Sequence, residues 1–196
     1  MRLTYCATVL FLTTMLGGCS GRFPLEIDRL FPVHAPSQHP EKSSLRQIDS
    51  FLATNKPRAA LTLINRKISQ GEPEAHFGKH YPQAMNGVLN KALQLQQQGQ
   101  ALEAGLLYRT AHSNYPRSLT LREHTSMTLI EIDASIELCA NALLDEGLQA
   151  YRRGELEAAI HSWEAITRFH PEHIASQRAI TTTRTQLANL KKLQQQ

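Results

Sequence analysis

The first candidates for chemistry in this chain are two histidines at helical spacing. His76 and His80 stand four apart in HFGKH, so a helix would present both imidazoles on one face, a spacing at which a pair can bind zinc. No Glu follows His76 to serve as the general base of a zinc protease, and no third ligand is evident nearby. His170-Pro171-Glu172-His173 is a second pair at a helix junction, where histidine is an ordinary surface residue. Neither pair predicts a metal site, and no cofactor is expected. Cys139 lies between Leu138 and Ala140 on an apolar helix face and reads as a buried structural thiol, because a nucleophile needs a positioned base. The sequence contains no Gly-rich phosphate loop, Gly-x-Ser-x-Gly elbow or Ser/Lys pairing. Glu155 and Glu157 fall at the start of a helix, where a carboxylate complements the dipole without catalysing anything. The expectation is a protein that is not an enzyme.

The elements that carry these residues read as helices. Leu45, Ile48, Phe51 and Leu52 recur at helical spacing up to a breaker at Asn55-Lys56-Pro57. A second stripe, Ala60, Leu61, Ile64 and Ile68, runs to Gly71-Glu72-Pro73. No segment alternates with period two for long enough to make a strand, so the fold class is all-α. The chain has 196 residues, 41% hydrophobic and 19% charged, with a net charge of +4. That length allows one ordinary domain with an appendage. Such a small positive excess, with 6% aromatic residues, argues against a nucleic-acid partner, which needs clustered basic residues. Three cysteines exclude a disulfide scaffold.

An internal repeat organises the body. Ala92, Gly99, Ala104, Tyr108 and Pro116 match Gly147, Gly154, Ala159, Trp163 and Pro171 at every spacing. The first hairpin follows more loosely, with Asn55, Ala60, Ile64 and Pro73 in corresponding places, the last one residue late. Small residues at Ala92, Gly147, Ala104 and Ala159 let paired helices approach closely. Gly99 and Gly154 suit the left-handed turn between helices, Tyr108 and Trp163 supply bulk that plugs into the neighbouring hairpin, and Pro116 and Pro171 stop the second helix. These residues resemble the tetratricopeptide repeat (TPR), an antiparallel helix pair. The resemblance implies about three TPR-like hairpins, irregularly spaced, with a C-terminal capping helix.

The spacing departs from a tandem array. Gly99 and Gly154 are 55 positions apart, against the 34 of the repeat that the chain resembles. The surplus, about 118–138, is apolar at helical spacing and free of Gly and Pro. The simplest reading is one long helix from Leu119 into Arg152, the alternative a degenerate extra repeat. Pro82 marks a kink or a fresh helix start before the middle hairpin. The last segment, from about Glu172 to Leu193, carries Arg178, Arg184, Lys191 and Lys192. It reads as the cap of the array, or else as a basic strip for phosphate or an acidic partner.

The TPR resemblance also implies a partner groove lined by the first helices. Its candidates are Asn86, Leu89, Leu93 and Gln96 in the middle hairpin, and Asn141, Leu144, Leu148, Tyr151 and Arg152 in the last. Leu89, Leu93, Leu144 and Leu148 occupy the positions where some TPR domains place the Lys and Asn that clamp a C-terminal carboxylate, so recognition of a chaperone tail is not expected.

The N-terminus reads as an address. Residues 1–18 carry Arg2, an apolar run from about Ala7 to Leu16, then small residues, the layout of a signal peptide. Leu16-Gly17-Gly18-Cys19 resembles the bacterial lipobox. That resemblance implies cleavage before Cys19, a diacylglycerol thioether on its sulfur and further acylation of its amine, with palmitate a common acyl group. Ser20 at the following position is the outer-membrane form of the sorting rule. Residues 19–43 hold Pro24, Pro32, Pro36 and Pro40 and read as an extended tether of up to roughly 75 Å. Its apolar cluster, Phe23, Leu25, Ile27, Leu30 and Phe31, suits docking on the body or on a partner better than a bare spacer. The helical domain is then 44–196. The expectation is a non-enzymatic outer-membrane lipoprotein facing the periplasm, held to the membrane by its N-terminal lipid. It would bind other envelope proteins as a scaffold or assembly factor of a pilus, secretion or outer-membrane assembly complex. The alternative is an envelope enzyme, or a metal- or cell-wall-binding accessory, using His76 and His80.

Overall fold

The computed structural model describes residues 40–195. The lipobox-like site at Cys19 and most of the proline-rich segment lie outside the described residues. Among the described residues, all regular structure is helical: α1 (Pro40–Ala53), α2 (Pro57–Ser69), α3 (His80–Gln97), α4 (Ala101–Ser113), α5 (Leu119–Arg122), α6 (Leu129–Arg152), α7 (Leu156–Thr167) and α8 (Ile174–Leu193), with a short 3-10 turn at Glu74–Phe77. None is long and apolar enough to cross a membrane. α1 starts at Pro40, inside the stretch whose prolines suggested a tether; in a first turn proline removes no intrahelical hydrogen bond.

The helices pack in chain order. α1 pairs with α2, α3 with α4 and α6 with α7; α2 lies against α3, α4 against α6 and α8 against α7. Each of the three pairs turns in the same way. A residue of positive φ (Asn55 at 53°, Gly99 at 76°, Gly154 at 81°) follows the first helix. The next backbone N–H, of Lys56, Gln100 or Glu155, reaches back five residues to the carbonyl of Phe51, Leu95 or Ala150 at 2.8–3.0 Å. This satisfies a carbonyl that the helix end would leave orphaned, and the second helix begins two residues after the turn.

Matched positions also share their burial. Ile48, Ala92 and Gly147 on the first helices are buried, as are Ala60, Ala104 and Ala159 on the second. Ile64, Tyr108 and Trp163, four residues further on, fill the space between. Tyr108 spans two hairpins: its hydroxyl donates to Gln96 Oε1 at 2.8 Å, and the tyrosine faces Ser135 and Cys139 of α6. Trp163 instead packs on its own hairpin. Its indole lies over Gly147, where an added Cβ would stand 2.2 Å from Nε1, and Nε1–H donates to the Leu144 carbonyl at 3.0 Å.

The expected long helix from Leu119 to Arg152 is broken. α5 stops after one turn, and α6 starts afresh at Leu129 behind a capping box at Thr128. The Thr128 hydroxyl accepts from Glu131 N–H at 3.3 Å, and the Glu131 carboxylate accepts from Thr128 N–H at 2.7 Å. The Thr128 N–H, together with the Thr128 hydroxyl that donates to the same carboxylate at 2.9 Å, holds the Glu131 carboxyl below its usual range, and the box favours a helix start over continuation through 123–128. α6 is 24 residues long, about 36 Å. Ahead of the middle hairpin α3 starts afresh at His80, with Pro82 in its first turn. Pro116 and Pro171 lie beyond the ends of α4 and α7, in the connections rather than at the last turn. α8 sets Ile180, Thr183, Ala179 and Leu187 against the core and leaves Arg178, Arg184 and Lys192 exposed.

Candidate functional site

Two open grooves mark the surface of this body. The first is formed by α6, α7 and α8, a concavity of about 390 Å³ lined by Leu144, Leu148, Tyr151, Trp163, Arg178, Ala179, Thr182 and Thr183. Helix pairing places these residues: Leu144, Leu148 and Tyr151 recur along one face of α6, and α7 brings Trp163 onto that face at Gly147. The Tyr151 ring sits 6.1 Å from the indole, tilted by 38°, and its hydroxyl donates to Gln186 Oε1 of α8 at 2.7 Å. With the indole N–H and the phenol already bonded, the floor presents mainly apolar surface. Leu148 is 37% exposed and stands ready to contact an apolar side chain.

The sequence singled out Leu144, Leu148 and Tyr151, and the structure brings them together. Asn141 and Arg152 are exposed on the same helix but do not line the concavity. The middle hairpin departs from expectation. Leu89 is 1% exposed and is a core residue. Asn86 clamps the segment after α5, donating to the His124 carbonyl at 2.9 Å and accepting from Ser126 N–H at 2.8 Å. Gln96 is the acceptor of the Tyr108 hydroxyl. Asn86, Leu89 and Gln96 are therefore structural residues, and of that group Leu93 alone, 46% exposed, offers apolar surface.

The second groove went unread in the sequence. It holds about 600 Å³ between the two N-terminal hairpins. Its floor comes from four helices: Phe51 of α1, Pro57 and Leu63 of α2, Val88 of α3 and Leu107 of α4. Lys56, Arg58, Arg66 and Lys91 stand around it, and no acidic residue lines it. Arg58, Thr62 and Arg66 recur every four residues on α2, the signal by which this face could have been found.

The histidine pair is not brought to one helix face. His76 belongs to the 3-10 turn, whereas His80 opens α3 and is buried, with Nε2 2.9 Å from Asp49 Oδ1 of α1. His170 likewise pairs with Glu137 at 2.6 Å and His112 with Asp133 at 3.1 Å. His173 caps α8, its Nδ1 accepting from Ser176 N–H at 3.2 Å. No group of three metal-binding side chains converges among the described residues. Cys139 is a free, buried thiol, and burial pushes its pKa up to about 11, so the reactive thiolate is scarce at neutral pH. Burial also drives the Tyr81 hydroxyl up to about 12; that hydroxyl donates to the Asn114 carbonyl at 2.8 Å.

No protein-family model, no curated protein and no solved structure matches the chain.

Proposed function

We propose that this protein is a non-enzymatic, TPR-like lipoprotein of a bacterial outer membrane that docks partner proteins in the periplasm. Three features support the reading. Leu16-Gly17-Gly18-Cys19 has the lipobox pattern, and two or more acyl chains at Cys19 provide stable anchoring where a single chain does not. The shared turns at Asn55, Gly99 and Gly154, with matched small and bulky residues around them, fit a run of TPR-like hairpins with α8 as the cap. The observation that carries the docking role is the open, mainly apolar groove of α6–α8, in which the Trp163 indole N–H and the Tyr151 hydroxyl are already bonded within the protein. Its occupant is a segment of another envelope protein that inserts an apolar side chain against Leu148 and Trp163. The protein acts by presenting that groove at the membrane, as a scaffold or assembly factor.

Membrane fractionation tests the anchor. The protein is expected in the outer-membrane fraction, and a Cys19→Ala variant is expected to leave it. Retention of that variant in the outer membrane would overturn the lipid tether.

A further inference from the structure

The groove between the two N-terminal hairpins differs chemically from the α6–α8 concavity, and its chemistry selects a partner. Its floor is apolar, and every charged residue on its border is basic, beside the neutral Gln47, Asn55 and Thr62. Lys56, Arg58 and Arg66 are exposed and have no ion-pair partner among the described residues. Lys91 meets only the neutral amide of Gln94, at 3.2 Å. Four cations elsewhere on the body meet acids, Lys67 with Glu72, Arg153 with Glu155, Arg184 with Glu164 and Lys191 with Glu157, whereas Arg109, Arg168, Arg178 and Lys192 are exposed without such a partner among the described residues. Four cations with no ion-pair partner, and no acid, thus border this one apolar groove.

The spacing of that charge separates possible occupants. Arg58 and Arg66 lie eight residues apart on α2, about 12 Å along its axis. Lys56 precedes them in the turn, and Lys91 comes from the next hairpin. A single phosphate or carboxylate head cannot reach both ends of such a row, whereas carboxylates on successive turns of a helix recur about 6 Å apart and match it. An amphipathic helix laid in a groove fills it with side chains from positions i, i+3 or i+4, and i+7. The floor residues from four helices offer room for such a set. The groove also lies away from the first-helix residues Leu144, Leu148 and Tyr151, so it is a second surface.

We infer that this groove binds an acidic amphipathic helix of a partner protein, with apolar residues on Phe51, Leu63 and Leu107 and carboxylates on Arg58, Arg66 and Lys91. Opposite charge around the apolar contact would raise the association rate and set the orientation of the helix. The inference stands apart from the lipid anchor and from the α6–α8 groove.

Fluorescence anisotropy of the full chain in detergent tests it. The probe is a labelled 18-residue helical peptide of Leu, Ala and Glu, with its glutamates along one edge of the apolar face; a matched peptide carries Lys in their place. The acidic peptide is expected to bind saturably, and the Lys peptide at least tenfold more weakly. Arg58→Glu combined with Arg66→Glu is expected to weaken the acidic peptide at least tenfold and to improve the Lys peptide. Both arginines are exposed, so thermal melting should be unchanged. The pair Arg168→Glu and Lys192→Glu, exposed and lining neither groove, should leave binding as it was. Equal binding of the two peptides, or equal loss in both double variants, overturns the inference. So does a dimer in sedimentation that the Arg58→Glu/Arg66→Glu variant dissolves, since a second copy would then own the groove.

Discussion

The hairpins α3/α4 and α6/α7 solve one packing problem with different residue pairs. In the first, Ala92 on α3 is matched with Tyr108 on α4; in the second, Gly147 on α6 is matched with Trp163 on α7. The larger ring faces the smaller residue. An added Cβ at Gly147 would stand 2.2–2.7 Å from three indole atoms, so tryptophan is admitted only because that Cβ is absent. The smaller Tyr108 coexists with the Ala92 methyl, and both are wholly buried. The difference reaches the surface. Tyr108 is sealed between α3 and α6, whereas Trp163 helps form the floor of the α6–α8 groove. One packing scheme makes a core in the middle of the chain and a concavity near its end.

The largest expected effect comes from removing the ring. Trp163→Ala should cost about 3–5 kcal/mol of stability, the range for emptying a buried aromatic site, measured by urea unfolding. Gly147→Ala should cost about 1–3 kcal/mol through overpacking, and this loss would sharpen the comparison. Combining Gly147→Ala with Trp163→Tyr recreates the α3/α4 pair, so the double variant should be more stable than the sum of the single losses by about 1 kcal/mol. Strict additivity would break the proposed size matching.

A smaller effect is expected from pH. His173 lies next to the α6/α7 hairpin and caps α8, a device that the α3/α4 hairpin lacks. Its pKa is lowered, mainly by burial, with His170 adding to this and Glu137 opposing it. Only a neutral ring has Nδ1 free to accept from Ser176 N–H. A depressed folded-state pKa stabilises the fold above the unfolded value of about 6.5, and that contribution is lost as pH falls through the folded value. The hydrogen-exchange protection factor at the first turn of α8 should therefore fall below about pH 6.5, while that at the first turn of α4 changes less.

Much of this architecture is legible in the sequence because it depends on residue type at fixed spacing. Ala104 and Ala159, Gly99 and Gly154, and Tyr108 and Trp163 mark close contacts and turns that other residues fill poorly. Even Asn55 stands for a glycine at the first turn, since asparagine tolerates positive φ. The break before α6 is written in the chain as the Thr128-x-x-Glu131 capping box, a short local signal inside an apolar period that is free of Gly and Pro and points to one helix. The candidate docking surface is less legible. Leu89 and Leu144 occupy equivalent repeat positions, yet Leu89 is in the core and Leu144 lines a groove, because the packing of neighbouring helices decides exposure. The basic groove is hidden in the sequence for the same reason. Phe51, Leu63, Val88 and Leu107 are ordinary apolar residues until four helices bring them together under Arg58 and Arg66.

The central claim is that the α6–α8 groove receives another envelope protein, and site-specific photo-crosslinking in intact cells tests it most directly. A photoreactive residue replacing Leu148 is expected to capture one defined protein, and the same residue replacing Arg109, exposed on α4, is expected not to. Capture of the same protein from both positions, or of none from Leu148, would contradict the account.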